Sequence, residues 1–257
     1  MMQRLRDWLR RRKAAAIADD IAPEQWARVE ARLPFLARLE ADERQRLREL
    51  ALQFLAEKQM YGAQGLILHA DMQLSIALQA CLLVMQQGLD WYRGWVGIVV
   101  YPGDFVIPRE EMDEDGVVHE FDDAVLGEAW QGGPVLLSWF DEIADADGAN
   151  VVIHEFAHKL DMKNGSADGL PPLHQGMSRR AWQAAFAPAY GDFHARVEKG
   201  EETALDPYGA DAPAEFFAVM SEAFFETPQL LCDEYPAVYE QLCLFYRQVP
   251  LASHGVF

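Results

Sequence analysis

Cysteine is scarce in this sequence, because the 257 residues include only three, Cys81, Cys232 and Cys243. Three cysteines cannot all pair within one chain, and no Cys-x-x-Cys spacing is present. The sequence therefore lacks both a disulfide framework and a cysteine-based zinc site. This usage is typical of a protein in a reducing compartment.

Basic residues are also few. The chain has 22 lysines and arginines against 41 acidic residues, which gives a formal net charge of -19. Such a charge repels nucleic acid phosphates, so DNA and RNA are not expected as direct ligands. Six of the basic residues lie within positions 1–13, and we predict a basic N-terminal helix or arm over residues 1–20. It is either a solvated terminal helix or a segment that docks on an anionic membrane or an acidic surface.

Long hydrophobic runs are absent. The longest strongly apolar run, residues 80–85, is too short to span a bilayer, and the apolar stretch 14–18 is too short for a signal-peptide core. We therefore expect a cytoplasmic protein with no membrane span. Because 51% of the residues are apolar, the chain can form a full hydrophobic core, and we predict a single domain over residues 21–257.

The hydrophobic pattern changes twice along the chain. Residues 21–90 have helical periodicity, residues 91–140 contain short β-type runs, and helical patterns return over residues 148–257. This order predicts an α+β fold that is predominantly helical with a small mixed β-sheet. The predicted helices are 26–33, 42–58, 71–87, 150–160, 179–198 with Ser178 as its cap, 212–225 with Pro213 in its first turn, and a last helix that ends near residue 247. The predicted strands are 95–101, 104–107, 117–121 and 134–139, with a turn at 115–116, and the predicted loops bordering a cleft are 161–177 and 200–208.

The segment His154-Glu155-Phe156-Ala157-His158 carries the clearest chemical signal. Residues four apart in an α-helix lie on the same face about 6 Å apart, so the two imidazoles can bind one cation, and zinc suits this geometry. Glu155 is then placed to accept the proton of an activated water and to pass it to the leaving amine. The alternative is a chance match. However, the surrounding residues are apolar, and two buried histidines without partners would be costly.

A third metal ligand must come from elsewhere, because catalytic zinc sites typically use three protein ligands. The helix predicted over residues 212–225 presents Glu215, Glu222 and the following Glu226 on one stripe of an otherwise apolar surface. These carboxylates form either a solvated helix edge or part of the site, and chemistry alone does not choose between Glu215 and Glu222. Asp161 is better placed to accept a hydrogen bond from an imidazole, or it caps the end of its helix.

Four segments of the sequence resemble the Mlc titration factor A (MtfA) family of bacterial zinc metallopeptidases. They are residues 91–102, 130–139, 150–165 and 206–225, and the likeness extends over nearly the whole chain. The resemblance implies a zincin-like catalytic domain similar to that of anthrax lethal factor. It also implies one Zn²⁺ per chain and a small sheet next to the helix of the His-Glu-x-x-His motif.

The resemblance also implies roles for individual residues. In the family a glutamate on a later helix completes the metal site, and a tyrosine seven residues before it faces the substrate. This pairing matches Glu215 and Tyr208 here, and Tyr208 would donate a hydrogen bond to the oxyanion of the tetrahedral intermediate. Glu222 becomes a supporting residue. The expected site therefore has His154, His158 and Glu215 as metal ligands, with Glu155 and Tyr208 as catalytic residues.

Zincin architecture further suggests that residues 134–139 are the edge strand on which an extended peptide lies antiparallel, although an ordinary core strand is the alternative. His174 and His194 lie outside the matching motifs. We expect them to be a loop histidine and a helix-surface histidine.

Two compatible functions are implied. The first is hydrolysis of peptide substrates, with aminopeptidase-type activity because the family implies short amino-terminal substrates. The second is binding of the glucose-responsive repressor Mlc, which would relieve repression of sugar phosphotransferase genes. A purely non-enzymatic titration protein is the alternative, and Glu155 argues against it because titration needs no general base. The two predicted loops could also gate an inhibited resting form.

Overall fold

The computed structural model of the chain describes residues 2–112, 118–139 and 150–251. The first part is helical, with α1 (Met2–Asp20), α2 (Pro23–Glu30), α3 (Ala41–Glu57), α4 (Ala70–Leu83) and a 3-10 turn at Pro34–Arg38. The helices predicted here are confirmed. The predicted bounds differ mainly at two helices. α2 begins earlier because Pro23 occupies its first turn, a position that tolerates proline, and α4 ends at Leu83 instead of residue 87.

The N-terminal helix α1 packs against the last turn of α3. The Nζ atom of Lys13 donates to the carbonyl of Ala56 at 2.9 Å, and Arg10 pairs with Glu57 at 2.6 Å. Free carbonyls at the end of a helix attract cations, so these basic residues suit their position. The part of α1 that includes Arg10 and Lys13 therefore lies against the end of α3.

A four-stranded mixed sheet has the strand order β1, β2, β6, β5. These strands are Gln59–Gly62, Gly97–Tyr101, Val135–Ser138 and Gly127–Ala129. Strand β2 runs parallel to both β1 and β6, whereas β5 runs antiparallel to β6. The sequence analysis missed β1 and β5, because strands of four and three residues are too short to show an alternating pattern.

Two predicted strands do not belong to this sheet. β3 (Phe105–Met112) and β4 (Val118–Val125) pair with each other as a separate antiparallel hairpin. The prediction of one sheet from all four runs was therefore wrong in this respect, because strand periodicity does not identify the partner of a strand. The turn predicted at 115–116 lies outside the described residues.

The strand predicted as the edge of the sheet is an interior strand. β6 lies between β2 and β5, and all four of its residues are buried. The alternative reading of residues 134–139 as a core strand is therefore correct, and the edge strand beside β6 is β5. The antiparallel register pairs Gly127 with Leu137 and Ala129 with Val135.

The described residues from 150 onwards contain five α-helices: α5 (Val151–Asp161), α6 (Arg179–Glu198), α7 (Pro213–Glu226), α8 (Pro228–Glu234) and α9 (Pro236–Tyr246). α5 packs against α4, α7, β5 and β6, so it lies at the centre of the molecule. The predicted loops 161–177 and 200–208 are confirmed as largely irregular, and Ser178 caps α6 as predicted. In the described parts of the chain, no helix has the length and apolar character needed to cross a membrane.

Candidate metal centre

The His-Glu-x-x-His motif lies in the middle of α5. The side chain of Asn150 caps this helix by accepting a hydrogen bond from the backbone N–H of Ile153 at 3.0 Å. His154 and His158 are 8% and 6% exposed, and their ring centroids are 4.8 Å apart. One turn of helix therefore brings both imidazoles to the same buried face.

A carboxylate from α7 completes a cluster with the two imidazoles. The Oε2 atom of Glu215 lies 2.9 Å from Nε2 of His154 and 3.1 Å from Nε2 of His158. The two Nε2 atoms are themselves 3.1 Å apart. The structure thus brings together the three residues that the sequence analysis named as metal ligands.

This donor set fits a zinc ion. Ligands arranged tetrahedrally at typical zinc distances are about 3.3 Å apart, close to the separations of these three atoms. Three converging ring and carboxylate acceptors repel one another unless a proton or a cation lies between them. The site has two nitrogen donors and one oxygen donor, a combination that zinc accepts in proteins.

Glu222 fixes the orientation of His154. Its Oε1 atom lies 2.7 Å from Nδ1 of His154, and its Oε2 atom accepts a hydrogen bond from the backbone N–H of Asn150. An Nδ1–H that donates to a carboxylate leaves the Nε2 lone pair available to a metal. Glu222 is only 2% exposed, and Glu226 accepts from the amide of Asn150 at 2.8 Å. The acidic stripe of α7 is therefore not a solvated edge.

Charge interactions within the cluster shift the pKa values of its members. Burial alone lowers the pKa of His154, but hydrogen bonds with Glu215 and Glu222 raise it well above its usual value. Burial likewise raises the pKa of Glu215, but hydrogen bonds with His154 and His158 outweigh this and lower it to about 2. Without a cation, the cluster therefore holds at least one proton near neutral pH.

Glu155 is a buried carboxylate beside the cluster. It is 4% exposed, and among the described residues its Oε2 atom has no hydrogen-bond partner. Burial, with the neighbouring carboxylates Glu215, Glu222 and Glu128 adding to it and His154 opposing it, raises the pKa of Glu155 to about 8. A carboxylate with this proton affinity can both accept and release a proton near neutral pH.

Tyr208 and strand β5 line the same cleft as the cluster. The cleft has a volume of about 230 Å³. Tyr208 is 49% exposed, and its ring centroid lies 5.8 Å from that of His154. Asp206 caps the short 3-10 turn that carries Tyr208 by accepting its backbone N–H at 2.9 Å. The two predicted catalytic residues therefore lie in one cleft with the three predicted ligands.

Asp161 has a different contact from the ones predicted. Its Oδ2 atom accepts from the backbone N–H of Gly169 at 2.7 Å, so the side chain holds the loop that follows α5. Among the described residues, neither its Oδ1 atom nor Nδ1 of His158 has a hydrogen-bond partner. The predicted hydrogen bond from an imidazole is thus absent. Burial raises the pKa of Asp161 to about 6.

Two histidines predicted to lie outside the site, His174 and His194, match their predicted settings. His174 belongs to the loop after α5, contacts the carbonyl of Phe245 at 2.7 Å and packs on Trp91. His194 is on the surface of α6, 3.6 Å from Glu198. Neither lines the cleft.

The sequence analysis missed Gly127 as a residue of the site. A Cβ atom at this position of β5 would lie 2.5 Å from Oε1 of Glu155, closer than such contacts permit. Only a glycine therefore allows the strand to approach the carboxylate so closely. A glycine beside a short apolar run is a signal for such close backbone approach, and it could have pointed to this contact.

The chain is similar to known proteins over most of its length. The family profile described as glucose-regulated metallo-peptidase M90 matches residues 5–247. Two proteins named Mlc titration factor A, from Yersinia pestis (strain Pestoides F) and Yersinia pseudotuberculosis serotype O:1b (strain IP 31758), are each 40% identical over 225 residues. The matched region covers 86% of this chain and 83% of each relative. The profile match includes every residue of the cleft described above.

Proposed function

The chain belongs to the glucose-regulated metallo-peptidase family M90, and on this premise we propose that it is a zinc-dependent peptide hydrolase. One observation carries the proposal: the convergence of His154, His158 and Glu215 beside the buried carboxylate of Glu155. A metal-binding triad and a candidate general base in one cleft are what hydrolysis of an amide requires.

His154, His158 and Glu215 would hold the ion through Nε2, Nε2 and Oε2. A bound zinc ion supplies Lewis acidity, which lowers the pKa of a water molecule and polarises the peptide carbonyl. Glu222 supports this role, because its contact with Nδ1 of His154 favours the ring proton at Nδ1, so that Nε2 can bind the ion once its own proton is displaced.

Glu155 would move the proton. Its carboxylate accepts a proton from the attacking water and delivers it to the nitrogen of the leaving amine. The raised pKa of about 8 in the metal-free site reflects a strong affinity for a proton. A cation in the cluster favours the ionised carboxylate again, so the proton can be released within the same cycle.

Tyr208 would stabilise the charge that develops on the carbonyl oxygen. Its position in the cleft, near the ring of His154, allows its hydroxyl to donate to an oxyanion formed beside the metal ligands. One such donor is typically worth 10²–10³-fold in kcat, that is about 3–4 kcal/mol.

Strand β5 would bind the peptide backbone. It is the edge of the mixed sheet on the side of the cleft, and Gly127, Glu128 and Ala129 line the cleft. An extended peptide can pair with such an edge through main-chain hydrogen bonds. This assignment replaces residues 134–139, which are paired on both sides.

The choice of substrate rests on the resemblance to the MtfA family. That resemblance implies activity on short amino-terminal substrates. We therefore propose aminopeptidase-type activity, on the amino-terminal residues of peptides.

Repressor binding is the second candidate function. Its basis is the name of the relatives, Mlc titration factor A, which share 40% identity with the chain. The net charge of -19 is compatible with docking on a basic DNA-binding protein. The purified chain mixed with the Mlc-like repressor of its host should then co-elute on size exclusion, and separate elution at micromolar concentrations contradicts the proposal.

Metal analysis combined with a substrate screen tests the first proposal. We expect one zinc per chain and cleavage of amino-acid anilides that a chelator abolishes and added zinc restores. Peptides with an acetylated N-terminus test the proposed aminopeptidase-type activity, since an aminopeptidase leaves them intact. A zinc-loaded protein that cleaves none of these substrates contradicts peptide hydrolysis.

A further inference from the structure

Two lysines are buried near the ring of Trp95. Lys159 is 5% exposed and Lys58 is 7% exposed, and their Nζ atoms lie 4.8 and 3.6 Å from the centroid of the Trp95 ring. Among the described residues, no carboxylate forms a salt bridge with either ammonium group. Burial of a lysine that lacks a salt bridge costs free energy of desolvation, unless hydrogen bonds satisfy the donors of its ammonium group.

Lys159 satisfies its donors with the loop between β5 and β6. Its Nζ atom donates to the carbonyl of Trp130 at 2.5 Å and to that of Gly133 at 2.8 Å. The loop also has internal hydrogen bonds, from Gly133 N–H to Trp130 O at 3.0 Å and from Trp130 N–H to Pro134 O at 3.1 Å. The ammonium group therefore joins both ends of this tight turn to α5.

The turn determines where β5 lies. This strand has only three residues and pairs with β6 alone within the described sheet, so its own ladder holds it weakly. Gly127 at its start lies against the carboxylate of Glu155. A displaced β5 would leave room for this carboxylate to rotate away from the metal ligands.

Lys159 directly follows His158 in α5. Helix α5, which carries both imidazoles of the cluster, is therefore also hydrogen-bonded to the turn that follows β5, the strand on the other side of the cleft. Because Lys159 binds backbone carbonyls, this contact sets the distance between α5 and the backbone of the β5–β6 turn.

We propose that Lys159 is a positioning residue for peptide hydrolysis: it anchors the β5–β6 turn and thereby holds Gly127 against the carboxylate of Glu155. This inference rests on the proposed function of the cleft. Lys159 touches neither substrate nor metal in this role and acts through the strand.

Lys58 provides a matched control. It donates to two backbone carbonyls, Tyr92 at 2.6 Å and Trp95 at 2.7 Å. It has similar burial and contacts the same tryptophan ring, but its carbonyl partners are not in the β5–β6 turn. Lys58→Met therefore reproduces the loss of a buried ammonium group without releasing β5.

The test compares Lys159→Met, Lys159→Arg and Lys58→Met with the wild-type protein, all loaded with zinc. We expect Lys159→Met to keep one zinc per chain, to lose about tenfold or more in kcat, and to exchange the amides of residues 126–139 faster with deuterium. Lys159→Arg keeps a long side chain with hydrogen-bond donors. It should therefore recover most of the wild-type kcat and most of the wild-type protection of residues 126–139 from exchange. Lys58→Met should change neither kcat nor the exchange rate of residues 126–139 by more than about threefold.

Three results would overturn the proposal. They are wild-type kcat in folded Lys159→Met, unchanged exchange at residues 126–139, and an equal loss of kcat in Lys58→Met. If Lys159→Met does not fold, Lys159→Gln, whose shorter side chain cannot reach both carbonyls, takes its place. A wild-type protein without peptidase activity refutes the proposed function instead, and the exchange comparison still tests whether Lys159 anchors the turn.

Discussion

The backbone of Gly127 lies directly against the carboxylate of Glu155, so that a Cβ atom at residue 127 would come within 2.5 Å of Oε1. This contact joins the edge strand of the sheet to the candidate general base. The position of β5, which would bind the substrate, therefore depends on the position of the Glu155 carboxylate, which would move the proton, and the reverse also holds.

Gly127→Ala should impair catalysis while sparing the metal. The new methyl group must push the Glu155 carboxylate or the strand aside, and misplacement by about 1 Å can cost 10²-fold in rate. We expect kcat to fall at least tenfold, with one zinc per chain retained. Gly191→Ala is the control, because a Cβ atom there meets nothing within 4 Å. It should keep full activity and gain about 0.5–1 kcal/mol of helix stability.

Glu155→Gln and Glu215→Ala should separate proton transfer from metal binding. Glu155→Gln keeps the three metal ligands but cannot accept a proton, so zinc content is retained and kcat falls by about 10²–10⁴-fold. Glu215→Ala removes a ligand and should lose both zinc and activity. Metal analysis and anilide hydrolysis measure the two effects, and full activity of Glu155→Gln refutes the proposed mechanism.

Tyr208→Phe should lower kcat with little change in KM. The variant keeps the ring beside His154 but removes the hydroxyl that would donate to the oxyanion, for an expected loss of about 10²-fold or more. Tyr61→Phe is a suitable control, since Tyr61 is also exposed and its hydroxyl donates to Gln59, away from the metal cluster. Equal kcat values for Tyr208→Phe and wild type would contradict the role of Tyr208.

Glu222→Gln should weaken zinc binding. The amide is a poorer acceptor than the carboxylate for Nδ1–H of His154, and loss of such supporting contacts typically costs about 10–100-fold in metal affinity. Competition with a chromogenic chelator measures this. Glu226→Gln is the control, because in the described part of the chain Glu226 contacts the amide of Asn150 and no imidazole. Similar affinities for the two variants would argue against the role of Glu222.

Zinc binding should release protons and weaken in acid. In the metal-free protein, contacts with Glu215 and Glu222 raise the pKa of His154 well above its usual value, despite its burial. The imidazole is therefore protonated below that raised pKa, and zinc must displace the proton, so affinity falls by up to about tenfold per pH unit for each proton released. Calorimetry in buffers of different ionisation enthalpy measures the released protons. A pH-independent affinity across the neutral range contradicts this expectation.

The helical framework and two metal ligands followed from local signals in the sequence. His154 and His158 are one helical turn apart, and Ser178, the predicted cap, marks where α6 begins. Such features depend on neighbours along the chain, so spacing alone predicts them. The resemblance to the MtfA family, carried by four segments of the sequence, was confirmed by the family match over residues 5–247 and by the 40% identity to Mlc titration factor A.

Tertiary structure decided what local spacing leaves open. Glu215 and Glu222 lie on the same stripe of α7, and only the packing of α7 on α5 directs the first at both Nε2 atoms and the second at Nδ1 of His154. Strand pairing, which is non-local, likewise made β5 the edge of the sheet and enclosed residues 134–139. The sequence by itself therefore determined the chemical groups of the site. Contacts between distant segments determined which atoms converge, and which strand bounds the cleft.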